Sequence, residues 1–403
     1  MASTTFKYPL VLMILVAAPI AWIGYRSYAA KVVDANAEAN SKFEKYRWGN
    51  APPLSGPYSK EGNPKDLMFE TVDLGIGHIM TVSENGDILY KWYGDAPVTF
   101  PYKDNDGFAR TGIRLGEPIL RLRKSDSSIH VYPKALDVVL TRGGKVYEIN
   151  GTQNAYTVVH DGKTIFDSTK THDSKYAHES WQNGSTVTDD GIFPGFGSNS
   201  RYLFTKESKV VSAEPVRGDG YGIKSGSSNL GTFGTIWYDG SDGQKPFGYR
   251  MTHVYDGKFE TIQFPEQIQQ PMLKGTKDSV IAYGLITSPV RPYEYRNKIF
   301  TAIAIPPGVA SLDILGANSQ GDYLMKLDKV SPECRGKYAF PYTHQFVYQS
   351  HGTFYEMSEI FRNLNIAKET ELSGGNLMDE DGDLVLSRYG PDYDRIVILR
   401  RVR

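Results

Sequence analysis

Several short clusters in this chain bring together residue types that could do chemistry. Asp379-Glu380-Asp381-Gly382-Asp383 gathers four carboxylates around one glycine. Closely spaced carboxylate oxygens are what a hard cation such as Ca²⁺ takes as ligands. An EF-hand loop places its glycine sixth and a bidentate Glu at its far end, whereas here the glycine is fourth. The spacing favours a solvated hairpin tip. His172-Asp173 and His178-Glu179, in THDSKYAHESW, set imidazoles beside carboxylates, a mixture suited to zinc or to acid–base work. The two histidines are six residues apart, which matches neither one helix face nor a zinc-finger spacing, so a polar loop is the better account. Arg291-Pro292-Tyr293-Glu294-Tyr295-Arg296 mixes guanidinium groups with aromatic rings. Both offer flat faces with hydrogen-bonding edges, suited to a sugar or a docked partner. The plainer alternative, a loop whose rings pack on the rim of the fold, is preferred.

Other candidates fall away on the same grounds. Val216–Ser228 is glycine-rich but lacks a Gly-Lys-Ser/Thr ending and a following helix, so it is no phosphate cradle. Its Arg217-Gly218-Asp219 spells an integrin-type tripeptide, which arises easily by chance. There is no Gly-x-Ser-x-Gly elbow, and Cys334 has no base beside it in sequence. Asn150-Gly151-Thr152 and Asn183-Gly184-Ser185 have the form of glycosylation sequons and read equally as turns. No residue is assigned a catalytic, cofactor-binding or metal-binding role.

The elements that would position such residues are strands joined by tight turns. Asn85-Gly86, Asp161-Gly162, Asp190-Gly191, Asp256-Gly257 and Asp381-Gly382 are turn dipeptides between apolar, β-branched or aromatic runs. Asx-Gly suits a two-residue hairpin because both central residues tolerate positive φ. The turns are of two kinds. One is shown by Tyr249–Ile262, YRMTHVYDGKFETI, and recurs from Asn154, Ser200 and His344. Aligned on the turn, Lys163, Lys209, Lys258 and Thr353 are separated by 46, 49 and 95 residues, a period near 47. The other is shown by ILGANSQGDYLMKL from Ile314 and GGNLMDEDGDLVLSR from Gly374, where a small or Asn residue precedes the turn. Two hairpins per period make four strands, as in a propeller blade. The spacing predicts an all-β body, a β-propeller of about seven blades over 67–403, with six or eight as alternatives.

Composition agrees. Gly reaches 40 and Tyr 27 of 403 residues, which suits turns and pleated, half-buried surfaces. With 45 Lys+Arg against 46 Asp+Glu there is no basic field for nucleic acid. A single cysteine excludes an intrachain disulfide.

The N-terminus differs in kind. Tyr8 to Tyr25 carries no charge between Lys7 and Arg26, and as a helix its 18 residues would span about 27 Å. Trp22, Tyr25 and Tyr28 stand where interfacial aromatics are expected. A cleavable signal peptide is disfavoured, because Tyr28 occupies a position that should be small for cleavage after Ala30. The prediction is a membrane anchor within 1–26, a helical stalk and Pro/Gly-rich linker over 27–66, and the body outside the cytoplasm, most naturally in a bacterial periplasm.

The alternating motifs resemble those of the HAF-repeat group of extracellular and envelope propeller-like proteins. Gly316-Ala317-Asn318-Ser319-Gln320-Gly321-Asp322-Tyr323-Leu324 is similar to the first half of that repeat. His344-Gln345-Phe346-Val347-Tyr348-Gln349-Ser350-His351-Gly352 is similar to the second. No literal His-Ala-Phe occurs, and the final glycine of the first half is absent. The resemblance implies an envelope β-propeller and carries no catalytic residues. The expected role is non-enzymatic binding of a protein or glycan partner. The alternatives are a polysaccharide lyase or glycosidase, and a structural subunit of a membrane assembly.

Overall fold

A computed structural model describes residues 53–94, 98–103, 109–114, 117–170, 181, 186–188, 190–193, 203–204, 210–211, 221–227, 229–238, 248–255, 258–266, 268, 271–284, 291–330, 342–363, 376–389 and 394–402. The chain divides into two compact units, 1–51 with 330–341 and 52–329 with 342–403. All of the described residues except Val330 belong to the second unit, the body.

The body is all-β and β-propeller-like. Five four-stranded meanders, each with consecutive strands as neighbours, cover 137–167, 186–211, 221–262, 271–302 and 309–356. The sixth sheet has six strands, in the order Leu384–Tyr389, Asp394–Arg401, Phe69–Val82, Ile88–Gly94, Ile119–Arg123, Ile129–Tyr132. It unites the two ends of the body. The fourteen-residue strand Phe69–Val82 makes the join: Phe69 to Asp73 pair with Arg401 to Val397, the register breaks, and Ile76 to Val82 pair with Gly94 to Ile88. A separate hairpin, Val98–Lys103 with Ala109–Arg114, is inserted after Ile88–Gly94. Five small blades and one larger sheet are thus what the strands delineate; seven blades is a finer count than these sheets give.

Local sequence explains the strands. In Val146–Thr152, Tyr147 and Ile149 are buried and their neighbours are less so, the period-two pattern of a strand. Val280–Gly284 is buried throughout, as a strand covered on both faces must be. Asp161 and Gly162 take the positive φ that Asx-Gly permits, at +48° and +72°, and His351 and Gly352 take the same turn at +49° and +76°. Asp256-Gly257, the turn inside the Tyr249–Ile262 repeat, lies outside the described residues, but its flanks pair from Tyr255↔Lys258 to Met251↔Ile262 as that repeat requires.

The apolar cores sit between consecutive sheets. Leu89 and Leu122 meet Val138 and Leu140; Tyr156 and Phe166 meet Val187 and Ile192; Phe233 and Met251 meet Val280 and Tyr295. Ile281 and Tyr283 meet Leu312 and Met325, and Leu324 and Phe346 meet Leu386 and Val397. Each fully buried side chain of this size contributes about 1.5–3 kcal/mol.

Residues 53–66, the end of the expected linker, lie along the body. Leu54 joins the core beneath 309–356, and its N–H donates to Val309 C=O at 2.7 Å. Tyr58 bridges Ile305, and Lys60–Glu61 adds a parallel fifth strand at Thr353 and Phe354. Arg291 holds the same stretch through Gly56 C=O at 2.6 Å and the Ser55 hydroxyl. The predicted anchor, Tyr8 to Tyr25, lies outside the described residues. Among the described residues no helix is long and apolar enough to cross a membrane. The described α-helix is Ser358–Asn363.

Candidate functional site

Among the described residues a dense polar cluster is built by the first hairpin turns of several sheets. These are the second kind of turn in the sequence, and their small leading residue has a definite task. Its side-chain oxygen accepts N–H groups from its own turn: Ser83 Oγ from Asp87 at 3.0 Å, Thr141 Oγ1 from Lys145 at 3.1 Å, Thr188 Oγ1 from Asp190 at 3.2 Å, Thr276 Oγ1 from Ser279 at 3.0 Å. Asn318 Oδ1 accepts from Gln320 and Asp322 at 3.1 and 2.9 Å, and Asp379 Oδ1 from Asp381 and Asp383 at 3.0 and 2.9 Å. Such Asx and ST turns fix the loop without help from elsewhere.

The turns then bind one another. Glu84 N–H donates to Arg142 C=O at 2.7 Å and Glu380 N–H to Glu84 C=O at 3.0 Å. Arg142, from the turn at 141–145, is buried at the centre. Its Nη1 donates to the carbonyls of Met378 at 2.6 Å and Val82 at 3.2 Å; its Nη2 donates to Ala317 C=O at 3.4 Å and Glu380 Oε1 at 3.0 Å. Glu380 Oε1 also accepts Lys277 N–H at 3.0 Å, and Oε2 accepts the N–H of Ser319 at 2.9 Å and its hydroxyl. Asn376 adds a clamp, donating to Gly275 C=O at 2.9 Å and Ala317 C=O at 2.6 Å. One ion pair therefore cross-links turns from four sheets. Behind it, Asp322 accepts from Arg401 Nη1 at 3.2 Å, and Arg401 lies over the Tyr348 ring.

The charges follow from this geometry. Burial acts to raise the Glu380 carboxyl, but hydrogen bonds from Ser319 and Lys277 and the Arg142 charge together hold it below its usual range. Burial pulls the Arg142 guanidinium down, with Glu380 opposing. Asp379 goes the other way. Burial, then the nearby Asp383 and Asp381 charges, push it up to about 7, against the Asp383 N–H and Arg142.

A pH signature follows. Folded Asp379 holds its proton to about pH 7, whereas an unfolded Asp releases it near ~3.9. The native state binds the extra proton between those values, so this group makes stability fall as pH rises through that window. The depressed Glu380 makes stability fall at the acid end, as pH drops toward its folded value. Asp379→Asn is expected to flatten the decline between about pH 4 and pH 7 and to leave the acid limb in place. Denaturation midpoints across that range check it; an unchanged slope would place the raised group elsewhere.

The structure sorts the sequence candidates. The carboxylates of 379–383 do not converge on a point. Asp379 caps its own turn, Glu380 is the peg of the cluster, and Asp383 accepts Arg401 N–H at 2.8 Å. Among the described residues no group of three His, Cys, Asp or Glu side chains could hold a metal. Nor is the stretch a solvated tip, since Asp379 is buried and Glu380 mostly so. Arg291 and Tyr293 both engage Glu266, and Arg296 pairs with Glu294 at 2.8 Å, so this stretch serves internal contacts. Burial and the Glu266 carboxylate raise the Tyr293 hydroxyl to about 12. His172, His178, Arg217, Cys334 and Asn183 lie outside the described residues. Asn150 lies in the strand Val146–Thr152, paired with Thr157. Arg142, the centre of the cluster, drew no notice in the sequence, where Thr-Arg-Gly-Gly-Lys reads simply as a turn.

No protein-family model matches the chain, and comparison with curated proteins finds no significant match. Among solved structures it is similar to the β-propeller domain of the trilobed protease from Pyrococcus furiosus, at 11% identity and TM-score 0.41 over 81% of this chain and 97% of that one. It is similar to virginiamycin B lyase from Staphylococcus aureus, at 10% identity and TM-score 0.41 over 83% and 100%. It is also similar to an acylaminoacyl peptidase from Pyrococcus horikoshii, at 10% identity and TM-score 0.40 over 85% and 53%. Likeness at these levels says nothing of activity.

Proposed function

We propose that this chain is a membrane-tethered β-propeller of seven blades that serves as a rigid, non-enzymatic scaffold for a protein or glycan partner. One observation carries this reading: among the described residues, the polar cluster around Arg142 spends its charges on joining sheets. Arg142 and Glu380 are each held by several atoms of the chain itself. That arrangement stiffens a platform, as a binding module needs. The seven-blade count takes Phe69–Val82 as the outer strand of a last blade and the inner strand of a first, either side of its register break. An experimental density map with six or eight blades would refute it. Tyr8 to Tyr25 supplies the tether and the HAF-like motifs favour an envelope setting, with the body in the periplasm. The rival is an envelope polysaccharide lyase or glycosidase, which needs two carboxylates or a Tyr/His pair at a substrate cleft.

Purification of the tagged full chain from membranes in mild detergent tests the scaffold role. The expected result is a stoichiometric partner, or retention of one glycan fraction. Recovery of the chain with no partner, together with turnover of an envelope polysaccharide, would favour the enzyme. Protease added to spheroplasts is expected to digest the body; protection until the inner membrane is opened would reverse the orientation.

A further inference from the structure

Arg121 and Arg123 stand two residues apart on Ile119–Arg123, so they share one face of the six-stranded sheet with Tyr90 and Ile88, their partners across the ladder. The two halves of that sheet, either side of the register break in Phe69–Val82, face each other: Ile88 and Tyr90 share a core with Val385 and Ile398. Arg400 lies two residues beyond Ile398 on the same strand and so points to the same side. Burial first, and then the Arg400 charge, pulls the Arg123 guanidinium down, so the two cations stand near each other. Arg123 is buried, Arg121 half-buried and Arg400 exposed.

Arginines elsewhere in the body are answered. Arg142, Arg291, Arg296, Arg395 and Arg401 each meet a carboxylate, at 2.8–3.3 Å. Among the described residues Arg121, Arg123 and Arg400 have no ion pair. Asp126 acts favourably on Arg123, but it is exposed and its carboxylate accepts Ser128 N–H at 2.8 Å. Glu70, across the ladder from Arg400, is exposed and makes no ion pair with it. Arg123 spends two bonds on its own turn, to Ser127 Oγ at 2.7 Å and Lys124 C=O at 3.4 Å. Arg121 lies with its guanidinium carbon 3.3 Å from the centre of the Trp92 ring. Arg121 Nε and Trp92 Nε1 are buried and have no acceptor among the described residues. Both atoms can only donate, so what this cluster lacks is an acceptor carrying negative charge.

We propose that Arg121, Arg123 and Arg400 form a binding site for a phosphate group, free or carried on a sugar. A guanidinium offers paired N–H groups that match a phosphate two at a time. A dianion also answers three cations better than a lone carboxylate does. Bound phosphate relieves the repulsion between Arg123 and Arg400 and supplies Arg121 with the acceptor it lacks. Stacking on Trp92 holds the Arg121 guanidinium in place before the ligand arrives, which lowers the cost of ordering it. Exposed Arg400 marks the side from which the ligand enters. With one partner buried and two within reach of solvent, the expected dissociation constant is on the order of 0.1–1 mM. The site stands apart from the Arg142 cluster and does not depend on the scaffold role.

Thermal unfolding of the full chain in mild detergent, titrated with inorganic phosphate against chloride at matched ionic strength, tests this. Phosphate at about ten times its dissociation constant is expected to raise the melting temperature by about 2–4 °C, and chloride to leave it unchanged. Arg400→Gln changes an exposed side chain, so the fold is kept. It is expected to raise the phosphate dissociation constant about tenfold and, by removing a like charge from beside Arg123, not to lower the melting temperature without phosphate. Arg121→Gln is expected to weaken phosphate binding as much, and Lys298→Gln, an exposed cation outside the cluster, to leave it unchanged. Glucose 6-phosphate is titrated in parallel: equal affinity assigns the site to free phosphate, and tighter binding assigns it to a phosphorylated glycan. No phosphate-specific rise, or a rise that survives both Arg400→Gln and Arg121→Gln, would overturn the proposal.

Discussion

Glu380→Ala is expected to cost about 3–5 kcal/mol of stability, the largest effect of any polar substitution in the described body. The loss has two sources. Arg142 would remain buried, 5% exposed in its side chain, with no carboxylate hydrogen-bonded to it. The N–H groups of Ser319 and Lys277 would lose their acceptor as well. Removing both charges is a different matter. Arg142→Met with Glu380→Leu is expected to recover much of the loss, because a buried pair is expensive to desolvate and apolar side chains of similar size fill its volume. Denaturant unfolding of the wild type, the single variant and the double variant checks both. A single-variant loss below about 1 kcal/mol would mean that the pair behaves like a surface ion pair.

Gly382→Ala is expected to cost about 2–4 kcal/mol. Gly382 sits at φ +83°, in the left-handed region, and a Cβ there would lie 2.5 Å from the Tyr348 hydroxyl and 3.3 Å from Asp322 Oδ2. The backbone strain accounts for about 1 kcal/mol. Forcing Tyr348, fully buried, to move accounts for about 1–3 kcal/mol more. Tyr348→Phe removes the obstructing hydroxyl at the expense of its bond from Arg401 at 3.2 Å. In the Gly382→Ala background it is expected to restore part of the stability, whereas in the wild type it destabilises. Equal effects of Tyr348→Phe in both backgrounds would dismiss the clash. Melting temperatures of the four proteins supply the cycle.

The sequence disclosed the hairpins and hid what the hairpins do together. Asp161-Gly162 and His351-Gly352 were legible as turns because positive φ leaves a composition signature. Even the distinction between two kinds of turn was visible in part, since a capping residue such as Asn318 must stand ahead of its turn, whereas Asp379 read only as one carboxylate of an acidic run. The partner of a cap is local and so is its signal. Arg142 and Glu380 are different. They lie 238 residues apart, and nothing in the spacing around either one names the other. The acidic run at 379–383 therefore looked like a cation loop or a solvated tip, since four carboxylates within five residues are ordinarily exposed. Residues 53–66 misled for a related reason. Proline and glycine mark the absence of helix, but an extended segment that adds to an existing edge needs no periodicity of its own. Nor does any local pattern mark Phe69–Val82 as a strand that belongs to two pairings at once.

That shared strand also sets a timetable for biosynthesis. Phe69–Val82 leaves the ribosome among the first strands of the body, and its neighbour Asp394–Arg401 leaves last. At ~10 residues per second the interval is about half a minute. Throughout it, Phe69 to Asp73 have no strand to pair with, and the Leu386–Val397 side of the core is missing. The meanders between can form as they emerge, because their contacts are close in sequence. The final sheet cannot. A chain that stalls or is truncated before residue 384 would therefore present an unpaired strand edge beside an open core near its start, the kind of segment on which chaperones and proteases act.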